Sequence, residues 1–160
     1  MKKLLLFMAV TAMVLNLSSC LIEDEVAPSV NVKEQSKNKV LFLKSASCSR
    51  SAAAEKYFRA SFDTWKEEFE LPADARLESY VEFIELDEGA PGFNGNKAKD
   101  YFKAAKFYYK LGDDGDQVST PIICLGERYI CGWDYRDEEK VNAWIKSYLE
   151  ITKGEWKVAQ

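Results

Sequence analysis

From Lys39 onward the chain switches between short apolar runs and longer stretches in which apolar residues recur at helical spacing. VLFL (Val40–Leu43) is four apolar residues in succession, the pattern of a strand buried on both faces. Ala54, Phe58, Phe62, Trp65 and Phe69 then fall three or four residues apart, which predicts a helix ending before Pro72. SYVEFIELD (Ser79–Asp87) reads as a second strand and GAPGFNGN (Gly89–Asn96) as a loop. Asn96 is the expected cap of a further helix with Ala98, Tyr101, Phe102, Ala105 and Tyr108 facing inward. After the loop GDDGDQVST, PIICLGERYICGW (Pro121–Trp133) predicts a hairpin turning at Gly126-Glu127, where glycine in first place suits a type II′ turn. A last helix is expected from about Asp137, with Val141, Trp144, Ile145, Tyr148 and Leu149 on one face. Its opening acids, Asp137, Glu138 and Glu139, suit the positive end of a helix dipole. The order β-α-β-α-β-β-α implies an α/β domain: a parallel pair from the first βαβ unit, then a hairpin completing a mixed four-stranded sheet with helices on both faces.

The ends of the chain read differently. Met1-Lys2-Lys3 and the apolar LLLFMAVTAMVLNL lead into Ser18-Ser19-Cys20, the layout of an export signal. LSSC resembles a bacterial lipobox, which would leave Cys20 as a lipidated N-terminus; the plainer reading is an ordinary signal peptide cut nearby. On the lipobox reading, residues 1–19 are the signal and 20–38 a lipidated, solvated tether. Residues 39–153 then form the domain and 154–160 a tail. Leu21 after the cysteine favours the outer membrane by analogy with lipoprotein sorting. The acids Glu23-Asp24-Glu25 are either a surface-display signal or a solvating run. Loss of residues 1–19 removes two lysines and no acid, leaving 20 basic against 26 acidic residues, a formal charge of −6. With no basic run, a nucleic-acid partner is not expected. The sequence holds no histidine, which excludes a Cys–His pair and a histidine metal site; no metal is expected.

The chemistry concentrates in FLKSASCSRSAAAEKYF (Phe42–Phe58), where Cys48 stands between the first strand and the first long helix. Only a thiolate attacks a disulfide sulfur, and a helix N-terminus with a nearby cation lowers a thiol's pKa from about 8.5 to roughly 3.5–7.5. Cys48 is expected to have both, with Ser49 and Ser51 opening the helix and Arg50 supplying charge. The plainer reading of Cys48 is a small buried residue filling the junction. Cys124 and Cys131 fall on the two hairpin strands as diagonal neighbours on one face. That spacing of about 7–8 Å is long for a relaxed disulfide, so two buried thiols are expected. Trp133 and Tyr135 either pack the last helix or wall a groove. SASC also resembles the Ser/Thr-x-x-Cys of peroxiredoxins, but Leu41 stands where that motif has proline.

The element order, the cysteine after the first strand and GDQVSTPIICLGERYICGWD together resemble the thioredoxin fold, and the second half is similar to a glutaredoxin. YVEFIELD resembles that family's strand ending in Glu-Leu-Asp, and the likeness spans roughly Lys39 to Leu149. It implies that Cys48 is the nucleophile of a C-x-x-S motif, with Ser51 in place of the second cysteine. It also implies that Pro121 is a cis-proline beside it and that Thr120 pairs with bound peptide or glutathione through its backbone. Gly132 and Asp134 match the second glycine and the first acid of the family's Gly-Gly-x-Asp motif. The chain departs from the pattern at Cys131, in place of the first glycine, and at Tyr135, in place of a second acid. Lys44 lies one place further back than the family's lysine, and Phe42 stands where thioredoxins carry a buried acid.

The expected function is monothiol disulfide exchange in a bacterial envelope, acting on a disulfide-bearing protein or peptide, with glutathione or another small thiol as co-substrate and no resident cofactor. The alternative is a non-catalytic binding module that uses the proline groove.

Overall fold

A computed structural model describes residues 26–152 and 155–158. The signal segment, Cys20 and the acids at 23–25 lie outside the described residues. The elements are α1 (Val32–Gln35), β1 (Val40–Lys44), α2 (Ser49–Glu68), α3 (Leu77–Tyr80), β2 (Val81–Glu85), α4 (Gly95–Tyr109), β3 (Ile122–Leu125), β4 (Arg128–Cys131), α5 (Arg136–Tyr148), β5 (Leu149–Thr152) and β6 (Glu155–Val158).

Four strands form one sheet in the order β2-β1-β3-β4, and β5 and β6 form a separate hairpin. β1 runs parallel to β2 and antiparallel to β3, so the sheet is mixed. This is the thioredoxin-like α/β arrangement. β1 is apolar from Val40 to Leu43 because that stretch is covered on both sides. Val40 and Phe42 enter a core with Phe58, Trp65, Val141 and Ile145, while Leu41 and Leu43 enter another with Ala104, Ala105 and Tyr109. Successive strand residues point to opposite faces, so four consecutive apolar residues supply two layers. β3 divides in the same way, with Ile123 and Leu125 on the first side and Ile122 and Cys124 on the second.

The hairpin has the expected register, Ile122 opposite Cys131 and Cys124 opposite Tyr129. Gly126 has φ +57, the left-handed value that the first position of a II′ turn requires.

Several expectations shift. Ser79 and Tyr80 belong to the one-turn helix α3, so β2 starts at Val81. Asn94, not Asn96, caps α4: its side chain accepts from the Lys97 amide at 3.2 Å, the same chemistry two residues earlier. Of the expected inward residues on α4, Ala98 and Ala105 are buried, while Tyr101, Phe102 and Tyr108 only edge the core; Ala104 and Tyr109 are the additional buried positions.

The packed part also begins before Lys39. Asn31 caps α1 through Lys33 and Glu34, Val32 is fully buried, and the buried Ser36 hydroxyl accepts the Gly126 amide at 2.7 Å. Residues 31–36 thus close the underside of the hairpin turn and are not free tether. At the other end, β6 places residues 155–158 in a hairpin where a tail was expected.

Candidate functional site

The site is built where β1 hands over to α2. Cys48 is the N-cap residue of α2, with φ −96 and ψ 116. The three residues before it are fixed by acids at the end of the neighbouring strand. The Glu85 carboxylate accepts from the amides of Ala46 at 3.0 Å and Asp87 at 2.9 Å. Asp87 accepts from the Ser47 amide at 2.8 Å and the Ser45 hydroxyl at 3.0 Å. Glu85 is buried, 5 % exposed, and acts as a bracket for this loop. Sequence reasoning placed both acids on a strand but gave them no role. The signal was available: two acids in i, i+2 positions at the end of a strand parallel to the one leading into Cys48.

Ser51, in the place of a second cysteine, is 1 % exposed, and its hydroxyl accepts the Ser45 amide at 3.2 Å. It is therefore a tie across the loop. Lys44 is paired with Glu55 at 2.7 Å, on the flank of α2.

On the other side of the sulfur lies the loop before β3. The Thr120–Pro121 bond is cis. Cys48 is half-buried, and its Sγ donates to the Thr120 carbonyl at 3.4 Å. The thiol's pKa is lowered, first by the Thr120 side-chain hydroxyl, then against desolvation by the amide and hydroxyl of Ser51 and the amide of Arg50. Arg50 thus acts through its backbone. Its guanidinium lies over Gly132, where a β-carbon would stand 3.7 Å from one of its nitrogens, and it also acts on Asp134. The expectation that Arg50's charge tunes the thiolate is corrected accordingly: the side chain is turned to the glycine loop.

Gly132 has φ +81, and its amide faces the carbonyls of Ser119 at 3.1 Å and Pro121 at 2.8 Å. That double contact locks β4 to the proline loop. Asp134 is held below the usual carboxylate range chiefly by Arg136, whose amide and Nε it accepts at 3.0 and 2.9 Å. Trp133 is buried against Tyr57, ring centroids 5.7 Å apart, and so packs the core. Tyr135 is 78 % exposed and borders an open cleft of about 390 Å³ with Ser49, Arg50 and Asp134.

The three described cysteines are free. Cys124 is fully buried, and burial pushes its thiol up to about 12. Cys131 was expected to be buried but is exposed: it lies on β4, which pairs on one side only, and its Sγ donates to the Ser119 carbonyl at 3.3 Å. Two accessible thiols therefore bond to adjacent carbonyls of the proline loop. The structure brings Cys48, Ser51, Thr120 and Pro121 together, with Arg50, Gly132 and Asp134 forming the neighbouring wall.

No family model matches the chain, and no curated protein matches it. Among solved structures it is similar to a glutaredoxin from Archaeoglobus fulgidus at 15 % identity and TM-score 0.45, covering 73 % of this chain and 96 % of that one.

Proposed function

We propose that this protein carries out monothiol disulfide exchange through Cys48. The observation that supports it best is a half-buried thiol at the start of a 20-residue helix, with its pKa lowered by Thr120, Ser51 and Arg50. A helix N-terminus favours an anion there, and the thiolate is the attacking species.

The Cys48 thiolate attacks one sulfur of R–S–S–R′. The Cys48–S–S–R bond forms as the S–S bond of the substrate breaks, and R′S⁻ departs with the electron pair and takes a proton from water. A second thiolate, R″S⁻, attacks the R sulfur, releasing R–S–S–R″ and restoring Cys48. Ser51 cannot resolve the mixed disulfide, so R″SH is an external thiol such as glutathione. The substrate is a disulfide-bearing protein or peptide lying along Thr120 and Pro121, with Gly132 and Asp134 at its flank. Lipid on Cys20 would hold the protein to a bacterial envelope membrane, the outer membrane by the Leu21 argument, in a compartment where disulfides persist.

The exposed Tyr135 beside Arg50 favours a second reading, a non-catalytic peptide-binding module. The deciding experiment is the pH dependence of Cys48 alkylation with Cys124 and Cys131 replaced by alanine. A midpoint well below the free-cysteine value of about 8.5 supports exchange; one at or above it supports the binding module.

A further inference from the structure

We propose that the cavity on the α4 side of Thr120 is a specificity subsite. It would take an apolar side chain of a disulfide-bearing peptide whose neighbouring residue is a cation held by Asp87. This rests on the exchange reading of Cys48 and names the substrate it prefers.

The cavity holds about 420 Å³, and its apolar lining comes from Leu86, Phe93, Ala98, Phe102 and Val118. Thr120 also lines it, and the Thr120 carbonyl lies 3.4 Å from the Cys48 sulfur. One residue thus borders both the reacting atom and the cavity. A peptide extended along Thr120 advances about 3.3 Å per residue and turns alternate side chains to the same side. A residue one or two places from the peptide's cysteine therefore reaches the cavity. Leu86, Phe102 and Val118 are already packed against the second core, so the cavity floor is an edge of that core left open. An apolar side chain reaching that floor gains the contacts of a core position.

The rim sets the charge. Asp87 and Glu88 stand at the cavity with Lys99, two acids against one base. Asp87 is fixed by the Ser47 amide and the Ser45 hydroxyl, which ties its carboxylate at the cavity to the loop that leads into Cys48. Those bonds hold it ionised, so a cation beside the substrate cysteine meets a fixed anion. Glutathione has no apolar side chain and leaves the apolar half of the subsite empty.

The test uses the full chain in detergent with Cys124 and Cys131 replaced by serine. Its substrates are short peptides, each with one cysteine disulfide-bonded to a chromogenic aryl thiol. The flanking pairs are Leu–Lys, Gly–Lys and Leu–Glu, with the glutathione mixed disulfide and hydroxyethyl disulfide alongside. The Leu–Lys peptide is expected to react at least about tenfold faster than either relative, the scale of a single pocket contact. Asp87→Asn, which keeps the acceptor oxygen for Ser47, should erase the Lys-over-Glu preference and leave the Leu-over-Gly preference. Val118→Asn, polar but uncharged, should do the reverse. If hydroxyethyl disulfide reacts while the three peptides react alike, the subsite is wrong and the exchange reading stands. If no disulfide reacts, the exchange reading falls and the subsite with it.

Discussion

Replacing Ser51 by alanine separates what this residue does for the frame from what it does for the thiol. Its hydroxyl accepts the Ser45 amide at 3.2 Å in a position 1 % exposed. Stranding a buried donor costs about 1–3 kcal/mol, and because this amide is only partly buried, about 1–2 applies. Alanine returns roughly 0.5 kcal/mol of helix propensity in the first turn of α2. The net loss is about 0.5–1.5 kcal/mol, a fall in Tm of roughly 1–6 °C for a chain of this size. The same hydroxyl helps lower the Cys48 pKa, after Thr120 and the Ser51 amide. Thermal melts and the pH profile of Cys48 alkylation should therefore shift together, the melt down and the alkylation midpoint up. A melt unchanged within about 1 °C would refute the tie across the loop. A lowered melt with an unmoved alkylation midpoint would leave Ser51 as frame alone.

Other expectations are independent of it. Thr120→Val, which removes the hydroxyl contributing most to the lowered thiol, should raise the Cys48 alkylation midpoint more than Ser51→Ala does; an unmoved midpoint would show that the hydroxyl does not face the thiolate. Timed alkylation read by mass spectrometry should label Cys48 and Cys131 in the native protein and Cys124 only on unfolding, given its burial and a pKa near 12; early labelling of Cys124 would contradict its place in the core. Gly132→Ala should cost about 1–2 kcal/mol in urea melts, because a β-carbon is strained at φ +81, and an unchanged melt would argue against that backbone. Asp87 and Asp134 have lowered folded-state pKa values, through Ser47 and through Arg136 respectively. Their contribution to stability is complete above the unfolded value of about 3.9 and is lost as pH falls through the lower folded values. The stability gap between Asp87→Asn and the parent should therefore close below about pH 4, and a gap that persists would assign it to another cause.

The strand and helix periods were legible because each buried face has its own repeat. VLFL fits a doubly covered strand, and Phe58, Phe62 and Trp65 share one stripe. The hairpin register followed from the Gly126 turn and was correct to the residue pair. What escaped depended on contacts between segments distant in sequence. Asn31 to Ser36 look like solvated tether until Ser36 meets Gly126, 90 residues away. The direction of the Arg50 side chain was equally invisible, since adjacency to Cys48 in sequence does not say which side of the helix start it takes. Cys131 escaped for a related reason: on the edge strand β4 only the face that carries Ile130 is covered, and Cys131 lies on the other.

Ser51 also bears on why the site has one thiol. A cysteine in its place would put a weak sulfur acceptor where the Ser45 amide now has an oxygen, so a resolving thiol there would loosen the loop that aims Cys48. The second accessible thiol instead sits across the proline loop, where Cys131 bonds the Ser119 carbonyl while Cys48 bonds that of Thr120. The two sulfurs thus bond successive carbonyls of the loop, and neither is bonded to the other. A substrate lying on Thr120 would stand beside Cys48, whereas Cys131 is held at Ser119. On the proposed exchange, the mixed disulfide would then be left to an external thiol, and the rate of release would depend on that thiol's concentration. Ser51→Cys should therefore change the kinetic order of the release step from first to zero in added thiol while lowering the melt as Ser51→Ala does. A release rate that already ignores added thiol in the parent protein would mean that Cys131 reaches the bond after all.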